Sequence, residues 1–377
     1  MTRLGLARVF VVLGTRPEAI KLAPVIMELR RRPDRFDCKI VSTGQHREMV
    51  DQALTVFDLR VDMQFDAMAS GQSLGRLTAR LFADLDDVLG AHKPDWVVVQ
   101  GDTTSAMAAT ICAFYHDISI AHVEAGLRTY NKRSPFPEEV NRTLIGNVAD
   151  LHFSPTNGSR ANLIAAGVSP GCIHVTGNTV IDALLWVKNK IADFVPEGIE
   201  SSLIESLKGK RLLLVTSHRR ESFGVELENI CMSLREIVAD HPDVVIVFPV
   251  HPNPNVQEPV RRLLGTETRI TLLEPVAYPP LVYLMERCYL ILTDSGGIQE
   301  EAPSLGKPVL ILRQSTERPE VVDAGCARLV GTSGAIIKSV TDELLNNKMA
   351  YNEMASVKNP FGDGTAAIRI ADILSAS

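Results

Sequence analysis

The sequence lacks cysteine clusters and long apolar runs, two features that mark secreted and membrane proteins. No CxxC pair is present, and the six cysteines are spread over positions 38, 112, 172, 231, 288 and 326. Several lie inside apolar segments, so we expect free, buried thiols in a reducing compartment. The first apolar run, residues 9–13, is too short for a signal peptide, and no run approaches the length of a membrane span. These absences predict a cytoplasmic protein without a membrane partner.

An excess of basic charge is also missing. The formal net charge is −6, which argues against nucleic acid or an anionic membrane as the main partner. A phosphorylated ligand is compatible with this balance only where basic side chains are concentrated locally.

Several catalytic motifs are absent as well. The chain contains no GxGxxG, Walker, HExxH or GxSxG motif. His251 is a lone imidazole without a second ligand at metal-binding spacing. The sequence therefore predicts neither a metal site nor a serine hydrolase.

What the chain does contain is a regular alternation of short apolar runs and segments with helical spacing. The runs are rich in Val, Ile and Leu without alternation, as in parallel strands buried on both faces. The predicted strands of the first half span residues 8–13, 39–43, 96–100, 119–123, 151–154 and 173–176. Those of the second half span residues 212–216, 244–250, 270–273, 290–293, 309–312 and 328–330. This pattern indicates α/β domains of Rossmann-like type, each with a doubly wound parallel sheet.

The length of 377 residues exceeds one ordinary hydrophobic core and favours two domains. Residues 187–210 interrupt the alternation, because they are charged, lack a strand and contain Pro196 and Gly198. We place the division near this segment, with a first domain over residues 1–176 and a second over 177–361. The last predicted helix, within residues 362–377, is expected to pack back on the first domain.

Ligands of such sheets bind beyond the carboxyl ends of the strands, so residues that directly follow strands are the candidates for function. The first strand leads into GTRPEAIK at residues 14–21. Arg16 and Lys21 stand near a helix N-terminus, whose dipole and free amides favour an anion. Two ordinary surface cations at a solvated helix start explain this segment equally well.

Three acidic residues follow successive elements of the first half. Asp102, taken alone, is explained as a helix N-cap. Glu138 follows a proline, and acidic residues after proline are common in the first turn of a helix. Glu124 closes an apolar strand, where packing does not explain a carboxylate. Together the three are expected to gather at one edge of the sheet. Crowding in a desolvated cleft separates carboxyl pKa values and supplies both an acid and a base.

The second half supplies candidate phosphate ligands. Strand 290–293 leads into Ser295, Gly296 and Gly297 at a helix N-terminus, which presents amides and a hydroxyl to a phosphate. Glu301 lies one turn further on, within reach of a ribose. His218 lies in the loop that follows strand 212–216, and this position favours a ligand over a charged surface turn. These residues predict an enzyme for a nucleotide diphosphate, with carboxylates on one lobe and phosphate ligands on the other.

Nine segments, in order from about residue 9 to residue 364, resemble the bacterial non-hydrolysing UDP-N-acetylglucosamine 2-epimerases. They are GTRPEAIKLAP, GQHREMVDQ, GDTTS, HVEAGLRT, SPFPEEVNR, GNTVIDAL, SHRRESFG, PVHPNPN and TDSGGIQEEAPSLGKPVL. The resemblance implies a GT-B arrangement of two Rossmann-like domains with the ligand in the interdomain cleft, and a homodimer. It also implies interconversion of UDP-GlcNAc and UDP-ManNAc without NAD, another cofactor or a metal.

The resemblance further implies roles for individual residues. UDP is eliminated to give 2-acetamidoglucal and then adds again after a proton reaches the other face of C2. The matching catalytic residues are Asp102, Glu124, Glu138 and His218. The matching UDP ligands are Arg16, Lys21, His218, Ser295, Gly296, Gly297 and Glu301. An allosteric UDP-GlcNAc site would include Gln45 and His251. Residues 129–133, Phe136 and Ser217 depart from the family pattern and leave the acids intact.

Three alternatives remain open on the sequence. A GT-B glycosyltransferase would share the fold and the UDP-sugar site, but it needs an acceptor surface and does not need three carboxylates. A non-catalytic UDP-sugar sensor would not need the acids. A 2-epimerase of a related UDP-diacetamido-uronic acid is the third, and the intact GTRPEAIKLAP segment favours GlcNAc.

Overall fold

The computed structural model describes residues 5–69, 71–219 and 222–377. They form two compact units. Unit 1 comprises the described residues up to Leu185 together with Phe361–Ser377, and unit 2 comprises those of Trp186–Pro360. Among the described residues, none of the helices combines the length and the apolar character that a membrane crossing needs.

Unit 1 contains seven parallel strands. They are β1 (Ala7–Leu13), β2 (Phe36–Ser42), β3 (Met63–Gln64), β4 (Trp96–Gln100), β5 (Ser119–Val123), β6 (Leu151–Ser154) and β7 (Ile173–Val175). Their order in the sheet is β3-β2-β1-β4-β5-β6-β7. The helices that accompany them are α1 (Arg16–Arg30), α2 (Arg47–Val56), α3 (Leu74–His92), α4 (Thr104–Tyr115), α5 (Glu138–Val148), α6 (Asn157–Ala165) and α7 (Thr179–Lys190). Val11, Val98 and Ala121 are fully buried in the sheet, as expected of parallel strands covered on both faces.

Unit 2 repeats this architecture with six parallel strands. They are β8 (Arg211–Thr216), β9 (Val244–Pro249), β10 (Ile270–Leu273), β11 (Leu290–Thr293), β12 (Val309–Ile311) and β13 (Ala327–Leu329), in the order β10-β9-β8-β11-β12-β13. The helices of this part are α8 (Ser201–Leu207), α9 (Val225–Asp240), α10 (Pro254–Leu264), α11 (Tyr278–Arg287), α12 (Gly296–Glu301), α13 (Pro319–Asp323), α14 (Gly334–Asn346) and α15 (Lys348–Ala355). Its core packs strand residues such as Leu213 and Phe248 against Ile230 of α9 and Ile337 of α14.

The predicted fold class is confirmed, because both units are α/β with parallel sheets. The predicted strands at 96–100, 119–123, 151–154, 270–273 and 290–293 have the observed bounds. Strand β3 was not predicted, because its two residues are too few to carry a periodic pattern.

The winding of each sheet changes direction once. In unit 1 the chain proceeds outward from β1 to β2 and then returns to place β4 on the other side of β1. In unit 2 the same change places β11 beside β8. The carboxyl ends of two diverging strands leave a crevice at such a point, where ligands of open α/β sheets bind. We therefore expect ligand-binding residues in the loops after β1 and β4 and in those after β8 and β11.

The C-terminal helix α16 (Ala366–Ala376) belongs to unit 1 and packs on α1. The backbone amide of Asn178 donates to the carbonyl of Phe361 at 2.6 Å. The predicted division after residue 176 differs from the observed one between Leu185 and Trp186. The first part of α7 stays with unit 1, because Ile181 and Leu184 are fully buried there.

Asp182 of α7 holds the beginning of α16. Its carboxylate accepts hydrogen bonds from the amides of Ala367 at 2.9 Å and Ala366 at 3.3 Å. Burial raises the pKa of Asp182 to about 6, although the two amides oppose this shift. The N-terminus of α16 therefore favours the charged form of Asp182. Burial of the side chain disfavours the same form.

This raised pKa predicts a pH-dependent contribution to stability. The folded protein binds more protons than the unfolded chain between about pH 4 and about pH 6. The contribution of Asp182 is therefore complete below about pH 4 and is lost as the pH rises through about 6. Asp182→Asn should remove this dependence. In urea unfolding, the free energy of unfolding of the variant minus that of the wild type should grow by about 1–2 kcal/mol from about pH 5 to about pH 7.5. The control Asp372→Asn, at an exposed position of α16, should show little such growth. Equal pH dependence of Asp182→Asn and wild type would contradict the prediction.

Candidate active site

Asp102 and Glu124 follow the neighbouring strands β4 and β5, and the buried guanidinium of Arg142 joins them. Arg142 Nη2 lies 2.6 Å from Asp102 Oδ2 and 3.4 Å from Glu124 Oε1. Its Nε also donates to Asp102 Oδ2, at 3.1 Å. Asn141, the preceding residue of α5, donates to the carbonyl of Asp102 at 2.9 Å. One arginine therefore holds two of the predicted acids at the same edge of the sheet through charge-assisted hydrogen bonds.

Glu124 is buried and has a left-handed backbone, with φ 62. Non-glycine residues rarely adopt this conformation, and it is maintained mainly where the surroundings hold a functional group in place. The Glu124 carboxylate pairs with Lys21 Nζ and accepts a hydrogen bond from Asn178 Nδ2 at 3.2 Å. Lys21 was predicted as a phosphate ligand beside Arg16, and the structure places its ammonium on Glu124.

The two glutamates that begin α5 have different surroundings. Glu139 is buried and accepts hydrogen bonds from Arg128 Nε at 2.9 Å, Thr129 N at 2.9 Å and Tyr130 N at 3.1 Å. Burial acts to raise the pKa of Glu139, but these donors hold it below its ordinary value. Glu138 Oε2, by contrast, is buried and has no hydrogen-bond partner. Glu139 thus anchors segment 128–130, whereas one oxygen of Glu138 is left without a hydrogen-bond partner.

Glu18 ties the loop after β1 to the loop after β4. It is fully buried and accepts hydrogen bonds from the amides of Gly14 at 2.9 Å and Thr15 at 2.7 Å. Its other oxygen accepts from the Thr103 hydroxyl at 2.6 Å. Burial raises the pKa of Glu18, and these hydrogen bonds offset part of that effect. Arg16, the first residue of α1, is exposed at the same edge.

His122 supports the loop that carries Asp102. It is fully buried on β5, and its Nε2 lies 2.7 Å from the carbonyl oxygen of Gly101. Burial, together with the nearby Arg142 and His152, lowers the pKa of His122 to about 3. The imidazole is therefore neutral, and its Nε2 must carry the proton because a carbonyl only accepts hydrogen bonds.

In unit 2, His218 and Asp294 follow the neighbouring strands β8 and β11. His218 Nδ1 lies 3.0 Å from Asp294 Oδ1, and the Asp294 side chain is fully buried. The ring of His251 stacks on that of His218, with centroids 5.7 Å apart and an angle of 26° between the planes. Burial and the nearby His218 lower the pKa of His251. The structure thus brings two of the predicted histidines together.

The predicted phosphate-binding turn follows β11. Ser295 occupies the N-cap position of α12 without a side-chain capping hydrogen bond, and its amide donates to Thr293 Oγ1 at 2.9 Å. A Cβ on Gly296 would lie 3.3 Å from Arg318 Cζ. Glycine at this position therefore gives the guanidinium of Arg318 close access to the turn. Gly297 follows in the first turn of the helix, with Glu301 Oε2 3.9 Å from the position of a Cβ.

Glu301 is buried at the end of α12 and accepts a hydrogen bond from the Tyr278 hydroxyl through Oε1. Burial raises the pKa of Tyr278 well above its ordinary value, and the Glu301 charge acts in the same direction. Tyr278 therefore stays protonated and orients the Glu301 carboxylate.

Gln45 lies in unit 1, where its Oε1 accepts a hydrogen bond from the Ser105 hydroxyl at 2.8 Å. That hydroxyl also contacts Thr43 Oγ1 at 2.8 Å. A Cβ at Gly14 would collide with both hydroxyls, so this position requires glycine. The allosteric role of Gln45 and His251 stays a prediction.

Comparison with known proteins assigns this arrangement to a family. Residues 27–375 match the family model of UDP-N-acetylglucosamine 2-epimerase. The chain belongs to this family. The UDP-N-acetylglucosamine 2-epimerase of Salmonella typhimurium is 48% identical over 371 residues, which cover 97% of this chain and 98% of that protein. The enzyme of the same name from Escherichia coli K12 is 49% identical over 371 residues, with the same coverage.

A solved structure supports the same assignment. The crystal structure of the UDP-GlcNAc 2-epimerase from Neisseria meningitidis, bound to UDP-GlcNAc, superposes with a TM-score of 0.88 at 43% sequence identity. The match covers 98% of this chain and 100% of the Neisseria chain.

Four residues of the epimerase site region were missed on the sequence. Asp294 directly follows β11, and its position after a strand could have indicated it, as the position of Asp102 did. Arg142 lies four residues after Glu138 on the same helix face, and that spacing could have indicated it. Glu18 stands three residues after Thr15 in a capping box, and that spacing could have indicated it. Asn178 carries no sequence signal of its own, because its partner Glu124 is distant in the chain.

The described residues contain no group of three or more His, Cys, Asp or Glu side chains arranged to hold a metal ion. The six cysteines are free, and five of them are buried.

Proposed function

We propose that this protein catalyses the reversible epimerisation of UDP-N-acetylglucosamine to UDP-N-acetylmannosamine at C2. The observation that carries the proposal is the cluster at the edge of the unit 1 sheet, where Asp102 and Glu124 share Arg142 and Glu138 keeps an unpartnered oxygen. Relatives that cover nearly the full chain bear the name of this activity.

The proposed reaction proceeds by elimination and re-addition. A carboxylate removes the C2 proton, and the C–H electron pair forms the C1–C2 double bond of 2-acetamidoglucal. The C1–O bond breaks, and its electron pair leaves with the UDP oxygen. UDP then adds back to C1 while a carboxylic acid delivers a proton to the opposite face of C2. Two faces need two proton-handling groups, and this requirement supports a role for Asp102, Glu124 and Glu138.

The cations around the acids are proposed to position them. Arg142 contacts both Asp102 and Glu124, and Lys21 pairs with Glu124. Glu138 Oε2, by contrast, has no hydrogen-bond partner, so the three acids have different surroundings.

We assign the UDP moiety to unit 2. The amides and hydroxyl at Ser295, Gly296 and Gly297 are proposed to bind phosphate, and Glu301, oriented by Tyr278, is proposed to bind the ribose hydroxyls. His218 and Arg16 are proposed to stabilise the charge that develops on the departing diphosphate. Groups aimed at developing charge contribute several kcal/mol in comparable sites.

A proton NMR time course with UDP-GlcNAc in D2O tests the reaction. Elimination exchanges the C2 proton with solvent in every turnover, so UDP-ManNAc should form with deuterium at C2. Long incubation should label both epimers. A glycosyltransferase without acceptor would give no isomer, and an epimer that retained its C2 proton would contradict the elimination mechanism.

We also propose that the protein is a cytoplasmic homodimer. The free cysteines suit a reducing compartment. Phe114 and Tyr115, adjacent at the end of α4, are 61% and 71% exposed, and exposed aromatic residues of this kind are enriched in protein interfaces. Light scattering coupled to gel filtration measures the mass directly.

A further inference from the structure

The Asp294 carboxylate lies in a fixed position behind the His218 ring. Asp294 is fully buried. Its Oδ2 accepts hydrogen bonds from the Ser217 hydroxyl at 3.0 Å and from the amides of His218 at 2.8 Å and Arg219 at 2.9 Å. Three donors from consecutive residues therefore hold one carboxylate oxygen, and the other faces His218 Nδ1 at 3.0 Å.

The charge of this carboxylate determines whether His218 Nδ1 carries a proton. Burial acts to raise the pKa of Asp294, but the contact with His218 and the two amides outweigh it and hold the pKa below its ordinary value. An ionised carboxylate only accepts hydrogen bonds. An unprotonated Nδ1 would direct its lone pair toward this charge at 3.0 Å, so Nδ1 is the nitrogen that carries a proton, although the contact does not have the geometry of a hydrogen bond.

The other neighbours of the ring restrict its rotation. His251 stacks on one face of His218, and the His218 amide is bound to the same carboxylate as the side chain. The His218 side chain still has 39% of its surface exposed. The ring is thus held at one edge and accessible elsewhere.

We propose that Asp294 is a positioning residue that fixes the Nδ1–H tautomer of His218 and presents Nε2 to the diphosphate. The role of Nε2 rests on the proposed function, whereas the tautomer itself does not. With Nδ1 committed to Asp294, Nε2 is the nitrogen that accepts a hydrogen bond when it is unprotonated and donates one when it is protonated. A fixed carboxylate behind an imidazole has this effect in hydrolases that use histidine.

Long-range proton–nitrogen NMR of the enzyme with ¹⁵N-labelled histidine tests the tautomer directly. The signals of His218 are assigned by their loss in His218→Gln. We expect the pattern of a ring protonated at Nδ1 in the wild type at a pH where the ring is neutral. In Asp294→Asn the carboxamide can donate to Nδ1, so the pattern should shift toward the Nε2–H tautomer. A wild-type ring protonated at Nε2 alone would overturn the proposal without any variant.

Turnover distinguishes positioning from a merely structural role. Asp294→Asn should lower kcat with UDP-GlcNAc by about a hundredfold or more. The control Asp243→Asn alters a half-exposed carboxylate that directly precedes β9 and pairs with Arg211, so it should stay within about threefold of wild type. In a double-mutant cycle, Asp294→Asn should cost almost nothing further in the His218→Gln background.

The outcomes separate this proposal from the proposed function. Losses that multiply in the double mutant, or an unchanged tautomer in a folded Asp294→Asn variant, would refute the positioning role. A wild type that fails to epimerise UDP-GlcNAc would refute the proposed function, and the NMR result would still report on the tautomer.

Discussion

Replacement of the three acids by their carboxamides is expected to abolish most of the turnover while leaving the fold intact. Asp102→Asn, Glu124→Gln and Glu138→Gln keep the size and much of the hydrogen-bonding shape of each side chain and remove its basicity. Each should lower kcat by about a hundredfold or more, since a positioned acid or base contributes on that order. UDP binding, measured by calorimetry, should weaken far less, because none of the three acids is a proposed ligand of UDP.

Asp95→Asn is the matched control for these variants. Asp95 directly precedes β4, at the opposite end of the strand that Asp102 follows, and it accepts a hydrogen bond from the amide of Arg8 at 2.8 Å. Its carboxamide should turn over UDP-GlcNAc at close to the wild-type rate. Near-normal kcat in all three acid variants would show that these carboxylates do not handle the C2 proton.

Loss of Arg142 is expected to damage both stability and turnover. The side chain is 6% exposed and contacts Asp102, the carbonyl of Glu124 and the Glu124 carboxylate. Arg142→Leu would leave two carboxylates with one cation fewer, at an expected cost of about 3–5 kcal/mol in the free energy of unfolding. Turnover should fall at least as far as in the single-acid variants, because both acids lose their orientation. Arg142→Lys should be intermediate, since lysine keeps the charge and loses the fork of donors.

The measurement uses the two tryptophans of the chain. Trp96 lies on β4 in unit 1, whereas Trp186 begins unit 2. In a Trp186→Phe background, fluorescence in urea reports the unfolding of unit 1 through Trp96. Arg30→Leu is the control, because the Arg30–Asp62 pair is about one-third exposed on each side and such pairs contribute about 1 kcal/mol or less. If Arg142→Leu lowered the free energy of unfolding no more than Arg30→Leu, the ion pairs of Arg142 with Asp102 and Glu124 would not stabilise unit 1.

The sequence predicted the strands of the site well, because buried parallel strands are short, apolar and closed by polar residues. The bounds of β4, β5 and β11 follow from this pattern alone. The same pattern placed Asp102, Glu124 and His218 directly after strands, and the order of strands in each sheet then brings their loops to one edge.

The pairing of side chains within the site could not be predicted in this way. Lys21 and Glu124 are separated by more than a hundred residues in the chain, and Glu18 and Thr103 by almost as many. Sequence patterns report local periodicity, and they carry no information about which distant polar groups meet. The division between the units also differed from the prediction, because the burial of α7 against α16 depends on a contact between distant parts of the chain.

Three properties could be inferred before the structure was known: the fold class, the edge of each sheet where function is expected, and the family to which the chain belongs. These follow from local burial patterns and from motifs that are contiguous in the chain. The folded chain was needed to show that Arg142 joins two of the acids and that Asp294 faces His218. It was also needed to show that Glu139 anchors a loop while Glu138 keeps an oxygen without a hydrogen-bond partner. Adjacent glutamates have the same chemistry in the sequence, and their different roles arise from the donors that folding places around each one.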